Sequence, residues 1–482
     1  MNFNGKMPSV LFQRQDAVGT LCILRMTMKQ KVDLTQGKIA YQLTKLALPI
    51  MMTMFVQMAY VLIDMFWIGR LGSGAVAAIG SAGFFTWLGM SVAFLPKTGI
   101  EVTVAQSAGK NDYSALLVYL KNGLLLTMIV AVIYSVTIFS FAPSLIGFFN
   151  LGSDINGYDP NTNAISYIRI LCCGMVLTYL NLSFTAIYNG LGKSKMPFYL
   201  NSIGLIINII LDPLIIYGVG PFPRLEVSGA AMATIFAHFV VFCLFVIRLR
   251  KDFGSLKETA AKEEPHCPKA AMRRIVKIGL PPAVQGAMFA SIAIVIARII
   301  SNWGPIAIAV QRIGSQIEAL SWMTASGFSI AISSFVGQNY GAGQVKRVWQ
   351  GFITAKCIIT VVGISTTLLF LLIPEQLFKI FVSEPDTIHQ GVVYMTIISY
   401  SQLFMCLEMT TAGAFNGLGK SIPPSIISIS FNLLRIPAAL YLSGIIGLSG
   451  IWWSISGSSM FKGVILLTWF IFYFKIKYKE LL

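Results

Sequence analysis

Residues 188–194 read YNGLGKS, and residues 415–421 read FNGLGKS. Three other short segments also recur in the same order along the chain: KLALP at 45–49 as KIGLP at 277–281, VAQSAG at 104–109 as VGQNYG at 336–341, and VSGAA at 227–231 as LSGIW at 448–452. Ordered matches at a nearly constant separation indicate an internal repeat. The two halves of the chain should therefore fold in the same way.

The composition is typical of a membrane protein. The chain has 482 residues, of which 56% are hydrophobic and 11% are charged, and its mean hydropathy is +0.74. Soluble domains carry roughly a quarter charged residues. Apolar runs of about 18–25 residues recur along nearly the whole sequence, and each is long enough to cross a bilayer as a helix. The short alternating segments of a membrane β-barrel do not occur. We predict an all-α membrane protein with twelve transmembrane helices.

The repeat divides these spans into two lobes of six helices. An even number of spans per repeat keeps both copies in the same orientation, so the lobes should be related by a pseudo-two-fold axis along the membrane normal. The predicted order is a cytoplasmic tail, an N-lobe with spans one to six, a charged linker, a C-lobe with spans seven to twelve, and a short tail: 1–37, 38–250, 251–273, 274–476 and 477–482.

The distribution of charge sets the orientation. The net charge is +17, and Lys and Arg are concentrated in one set of alternating loops and at both termini. Such loops face the cytoplasm in most membrane proteins, so we place both termini there. The same distribution argues against a nucleic-acid partner. MKQK at 28–31 resembles a start before the first span, so residues 1–27 are either an upstream mis-start or a disordered tail.

Acidic residues lie inside two of the apolar runs. NIILDPLIIYG at 208–218 places Asp212 in span five, and AYVLIDMFWIG places Asp64 in span one. A carboxylate in hydrocarbon costs at least about 2.5 kcal/mol, so each acid should face protein, water or a cation. A protonated aspartate bonded to a neighbouring helix is the purely structural alternative.

Helical rise places further polar groups near the same depth as these acids. At about 1.5 Å per residue, spans four and six bring Tyr167 and Thr234 to the outer half of the N-lobe, and Asn208 lies one turn from Asp212. Carboxylate, amide and hydroxyl oxygens suit a small hard cation such as Na+, which Asp64, Asn208 and Asp212 would hold. Two close carboxyl groups would instead share a proton. Either ion would change the charge of the site.

Other polar residues within the spans form a candidate substrate cleft. Glu318 in span eight and Arg435 in span eleven lie near mid-membrane, where Glu318 either meets a cationic substrate or pairs with Arg435. Gln57 and Gln285 occupy related positions in spans one and seven, and either line the cleft or bond neighbouring helices. Tyr60 of span one completes this predicted set.

Several ordered segments carry a resemblance to a known family: LALPIMMTMFVQMAYVLIDMFWIGRLG, VAQSAGKND, YNGLGKSKMPFYLNSIGLIINIILDPL, VSGAAMAT, EALSWMTASGFSIAISSFVGQNYGAG and FNGLGKSIPP. In this order they resemble the multidrug and toxic compound extrusion (MATE) transporters over about residues 35–475. Within that family the chain is similar to the bacterial DinF-like and MepA-like branches. It departs from the NorM-like branch, because span seven lacks an acidic residue.

The resemblance implies a function. A MATE protein of this kind would be a secondary active multidrug efflux antiporter that exports organic, cationic and amphiphilic compounds in exchange for Na+ or H+. It implies cation coupling at Asp64, Asn208 and Asp212, with Tyr167 and Thr234 nearby. We expect no cofactor and no ATP-binding subunit. We also expect a monomer in the bacterial cytoplasmic (inner) membrane, whose partners are the bilayer and a small drug-like substrate.

Two other functions stay open at this point. A flippase for a lipid-linked precursor would need a cleft rich in Arg or Lys to hold a diphosphate, and here Arg435 stands alone. An intramembrane transferase would need clustered acids such as DDxxD for a metal-bound diphosphate. Because the sequence contains no such cluster, we do not expect an enzyme.

Overall fold

The computed structural model describes residues 33–149, 159–260 and 267–481. The segment 1–32, which includes the possible start at Met28, lies outside the described residues. Helices account for nearly all of the described chain, and no β-strand occurs within those three ranges. The helices are α1 (Ile39–Gly69), α2 (Ser73–Lys110), α3 (Tyr113–Gly147), α4 (Pro160–Gly190), α5 (Lys195–Tyr217), α6 (Glu226–Ala260), α7 (Pro268–Ser301), α8 (Pro305–Gly341), α9 (Val345–Leu372), α10 (Pro374–Lys379), α11 (Pro385–Gly417), α12 (Ile422–Ile446) and α13 (Leu448–Lys477).

Twelve helices, all of the above except the short α10, are long and apolar enough to cross a membrane. The prediction of a twelve-span helical protein is therefore confirmed. Several helices extend beyond their apolar runs, because each added residue gains an intrahelical hydrogen bond at little cost. In consequence α6 and α7 extend into the segment 251–273, whose role as a linker stays a prediction, and residues 261–266 of it lie outside the described ones.

The repeated halves form two lobes, α1–α6 and α7–α13. Helices α5 and α12 bury residues at matching positions, with one constant separation along the chain: Pro197 and Pro424, Asn201 and Ser428, Asn208 and Arg435, Asp212 and Ala439. Matched burial means that the two helices present the same face to their own lobes. The side chains at the last two matched positions differ in charge: Asn208 is matched by Arg435, and Asp212 by Ala439.

Close packing of backbones joins the lobes at one end. Helix α2 of the N-lobe packs against α7 and α8, and α1 packs against α8. A Cβ atom on Gly109 would overlap the backbone carbonyl of Gln338, and one on Gly341 would overlap the carbonyl of Gln106. Glycine at these positions permits the close approach of α2 and α8. We call this the inner end, since it carries the loops predicted to face the cytoplasm.

Two glutamines cross between the lobes at the inner end. Gln106 Nε2 donates to the carbonyl oxygen of Gly417 at 2.9 Å, and Gln338 Nε2 donates to that of Gly190 at 2.8 Å. Arg274 of the C-lobe also donates to Gln106 Oε1 at 2.6 Å. Each glutamine thus binds the first glycine of the repeated NGLG segment in the opposite lobe, where a helix ends.

Candidate ion-coupling and substrate sites

Three helices of the N-lobe bring the predicted coupling residues together. Asn208 and Asp212 lie one turn apart on the inward face of α5, and both side chains are fully buried at 0% exposure. Asp64 on α1 is 8% exposed, and Thr234 on α6 is half-buried. Because residues four apart share a helix face, the N-x-x-x-D spacing places both polar groups of α5 opposite α1 and α6.

A continuous chain of hydrogen bonds links these groups. Asn208 Nδ2 donates to Asp212 Oδ1 at 2.9 Å and lies 3.5 Å from Thr234 Oγ1. Thr234 Oγ1 lies 3.2 Å from Asp64 Oδ2 and 3.0 Å from the carbonyl oxygen of Ala230. A hydroxyl has a single proton, so Thr234 donates to one of these acceptors at a time. Thr234 can therefore release Asp64 without losing a partner.

The two acids face each other and are not fully satisfied by the protein. Asp64 and Asp212 interact electrostatically, and the bonds through Asn208 and Thr234 connect them. Among the described residues, Asp64 Oδ1, Asp212 Oδ2 and Asn208 Oδ1 are buried without a hydrogen-bond partner. Buried oxygens normally have partners. Two carboxylates and an amide oxygen in this state fit a small hard cation, or a proton held between the acids.

Two tyrosines border the acid pair. Tyr167 on α4 is 6% exposed and lies within electrostatic range of both Asp64 and Asp212. Tyr60, which the sequence analysis placed in the substrate cleft, also lies within range of both acids. Its ring stacks on His238 with 5.5 Å between centroids. These rings cover the site with low-dielectric surface, which strengthens charge interactions inside it.

The remaining cleft residues are spread over both lobes. Gln57 on α1 and Gln285 on α7 are half-buried, and their role stays a prediction. Glu318 on α8 is half-buried and accepts a hydrogen bond from Gln402 Nε2 at 3.2 Å. A place for Glu318 in a substrate site also stays a prediction.

Arg435 binds hydroxyl groups instead of a carboxylate. Its Nε donates to Ser458 Oγ at 2.6 Å, and its Nη2 donates to Ser459 Oγ at 2.9 Å. The sequence offered an ion pair with Glu318 as one alternative. Glu318 is within electrostatic range of Arg435, yet within the described ranges no carboxylate oxygen lies in ion-pair contact with this guanidinium.

The sequence analysis missed a buried ion pair in the C-lobe. Lys462 Nζ of α13 lies 3.1 Å from Glu408 Oε2 of α11, and the two residues are 5% and 7% exposed. A signal was available, because a lysine and a glutamate each interrupt an apolar run there, in SSMFKGVILL and LFMCLEMTT. Charged residues inside spans are rare and are functional candidates by default.

Comparison with known proteins agrees with the fold and the repeat. The MatE family model matches residues 49–214 and 281–441, one segment in each lobe. A probable multidrug resistance protein NorM of Thermotoga maritima is 29% identical, over 90% of this chain and 92% of the relative. An FAD transporter of Shewanella oneidensis is 25% identical, over 91% of this chain and 95% of the relative.

Solved structures share the architecture. A structure described as the outward-facing conformation of a multidrug resistance MATE family transporter of the MOP superfamily superposes with a TM-score of 0.82. The alignment covers 92% of this chain and 98% of that chain at 21% identity, so it supports the fold alone. The narrower placement in the DinF-like and MepA-like branch stays a prediction. The chain belongs to the MatE family and is a membrane transporter, not an enzyme.

Proposed function

We propose that the protein is a secondary antiporter that exports organic, cationic and amphiphilic compounds in exchange for Na+ or H+. The observation that carries this proposal is the buried pair Asp64 and Asp212, whose free oxygens have no partner in the described chain. Two like charges without an internal cation form a site whose stability depends on an ion from outside. The protein would act as a monomer in a bacterial cytoplasmic membrane with both termini inside.

The acid pair supplies the coupling. Without an ion, the carboxylates of Asp64 and Asp212 repel each other in a low-dielectric site. Binding of Na+ or a proton removes that repulsion and draws α1, which carries Asp64, toward Asp212 on α5 and Thr234 on α6. Exchange requires the ion and the substrate to favour opposite conformations of the lobes. The ion-loaded N-lobe would therefore release substrate outward and permit return to the inward state.

Alternating access would act at the inner end. The contacts from Gln106 to Gly417 and from Gln338 to Gly190 join the lobes there. Rocking of one lobe against the other, as in other transporters with parallel repeats, has to break both contacts. The described conformation thus corresponds to a transporter that is closed toward the cytoplasm.

The charged group of the substrate would bind mainly in the C-lobe. The half-buried carboxylate of Glu318 suits the cationic end of an amphiphile, while Gln57, Tyr60 and Gln285 supply neutral hydrogen-bonding groups. A second possibility comes from the Shewanella relative, which is called an FAD transporter. We therefore include FAD as an anionic substrate in the test below.

A lipid-linked precursor flippase is less well supported. Such a protein needs free basic groups for a diphosphate. Here Lys462 is already paired with Glu408 at 3.1 Å, and Arg435 lies within electrostatic range of Glu408 and Glu318. These two basic and two acidic side chains are therefore neutral overall. Binding of a polyprenyl diphosphate to purified protein, in preference to an organic cation, would favour this rival.

Transport in liposomes tests the proposal. Purified protein is reconstituted, Na+ and pH gradients are imposed separately, and movement of ethidium or FAD is followed. We expect one of the two gradients to drive wild-type transport, and Asp64→Asn and Asp212→Asn each to abolish that drive. Glu375→Gln is the matched control, because Glu375 is exposed and forms an ion pair with Lys379 on α10. Wild-type transport by both aspartate variants at equal expression would end the proposal.

A further inference from the structure

The C-lobe contains a group of four charges, three of them buried and Glu318 half-buried, that the coupling mechanism does not use. Lys462 and Glu408 form an ion pair at 3.1 Å. Arg435 lies within range of Glu408 and of Glu318, and Lys462 lies within range of the same two acids. Two acids and two bases on α8, α11, α12 and α13 therefore balance each other inside the membrane-spanning region.

The two lobes differ at the positions that hold the coupling acids. By the register of KLALP and KIGLP, Asp64 corresponds to Ile296, and by matched burial Asp212 corresponds to Ala439. Ile296 and Ala439 belong to one buried apolar cluster. The C-lobe therefore fills the counterpart of the acid pair with hydrocarbon.

Basic residues appear in the C-lobe where the N-lobe has neutral ones. Arg435 takes the place of Asn208, and by the register of VSGAA and LSGIW, Lys462 takes the place of Val241. Both arginine and lysine point to the interior, at 8% and 5% exposure. Within the described residues, the acid pair Asp64 and Asp212 thus has no ion-pair partner from the chain, whereas the acids of the C-lobe group lie beside cations that are part of the chain.

We infer that Lys462 and Arg435 are built-in counter-cations, so that the C-lobe takes no exchangeable ion and Glu408 is a latent cation site. This inference rests on the proposed N-lobe coupling. Removing the lysine charge would leave Glu408 buried and unpaired, a state that native proteins avoid by taking up a proton or a cation. The number of coupling ions in each cycle would then be set by the N-lobe alone.

A purely structural ion pair makes a different prediction. Buried pairs can often be replaced by apolar residues of similar volume with little loss of stability. If the pair only fills space, Lys462→Met would leave Glu408 to be neutralised by a proton and would bind no Na+. Binding of Na+ is the readout that separates the two roles.

The experiment uses purified protein whose N-lobe site has been removed by Asp64→Asn together with Asp212→Asn. Binding of Na+ is measured with a radiotracer, and proton uptake with an indicator dye on a shift from alkaline to neutral pH. We expect the double variant to bind neither ion beyond its surface groups. Adding Lys462→Met should restore one bound Na+ per protein. Adding Lys462→Arg, which keeps the charge, should restore none.

Two results would overturn the inference: an ion still bound by the double variant at the C-lobe, or a folded Lys462→Met protein that gains no Na+, whether or not it gains a proton. If that protein does not fold, Arg435→Gln in the same background is measured instead. Absence of bound Na+ in that variant would equally overturn the inference. Failure of the proposed function looks different. In that case wild-type protein itself would bind no ion at the N-lobe site, whatever the C-lobe variants do.

Discussion

The side-chain amide of Gln106 in the N-lobe donates to the carbonyl oxygen of Gly417 in the C-lobe at 2.9 Å. Gln338 makes the reciprocal contact with Gly190 at 2.8 Å. The repeat thus places one glutamine side-chain amide and one carbonyl oxygen at a helix end in each lobe. Each amide donates to the carbonyl oxygen of the opposite lobe. Neutral hydrogen bonds of this kind can hold the lobes together without a net charge change when they open.

Replacing Gln106 with leucine should loosen the inner end. The change removes the neutral bond to Gly417, worth about 1 kcal/mol, and the bond from the charged Arg274, worth about 1.5–3 kcal/mol, so the inward-open population should rise by roughly tenfold or more. Gln338→Leu should act similarly, and the double variant more strongly. Spin labels at Lys110 and Lys346, in a cysteine-free background, would report the distance across this end.

The matched control for these variants is Gln350→Leu, because Gln350 is exposed on α9. Its distance distribution should equal that of the wild type. An unchanged distribution in the double variant Gln106→Leu and Gln338→Leu would show that these amides do not hold the lobes together.

Alanine at Gly109 should disfavour the closed inner end by sterics alone. The new Cβ would overlap the carbonyl of Gln338, and such overpacking costs about 1–3 kcal/mol. The closed state should lose stability relative to the open one, and the melting temperature should fall. Gly69→Ala is the control, because a Cβ there meets nothing within 4 Å. Equal melting and equal lobe distances for both variants would contradict the packing described here.

Valine at Thr234 should weaken ion binding without abolishing it. The substitution replaces the hydroxyl group that lies 3.2 Å from Asp64 Oδ2 with a methyl group. Loss of one such bond is worth about 1.5 kcal/mol, or roughly tenfold in the ion concentration for half-maximal transport. Thr234→Ser keeps the hydroxyl and should behave as the wild type. The measurement is transport against ion concentration, and equal curves for valine and serine variants would remove Thr234 from the site.

A further contact between the lobes involves the chain just before α1. Arg347 of α9 donates to the carbonyl oxygens of Gln36 and Gly37 at 2.9 Å each, and to Gln42 Oε1 at 3.0 Å. Leu34 is 0% exposed and packs in the apolar core of the C-lobe. The first helix of the N-lobe is therefore anchored on the second lobe.

Lysine at Arg347 should release this anchor although it keeps the charge. An ammonium group cannot reproduce the planar, fixed arrangement of N–H donors that the guanidinium presents to several acceptors. Backbone amides of residues 34–37 should exchange hydrogen about tenfold faster, as expected for a loss of about 1.4 kcal/mol. Lys346→Ala, at the exposed neighbouring position, should leave exchange unchanged. Wild-type protection in Arg347→Lys would mean that Leu34 alone holds the segment.

Much of this molecule was predictable from its sequence. Twelve apolar runs and four ordered repeats predicted a helical two-lobe membrane protein, because hydrocarbon thickness fixes span length and a bilayer leaves no other way to satisfy the backbone. Asp64 and Asp212 were singled out because burying a carboxylate in lipid is costly. Counting the helical rise then placed both acids near Asn208 and Thr234 in one lobe.

The partners of each charge were decided only by tertiary structure. Depth counting placed Glu318 and Arg435 at a similar level, yet Glu318 binds Gln402 and Arg435 binds Ser458. The pairing of Lys462 across to α11 and the reciprocal contacts of Gln106 were not predicted either. The periodicity of polar and apolar residues in a segment predicts which side chains share one face of that helix. Which faces meet is set by the rotation and close packing of helices that are distant in the chain, and that information is not local.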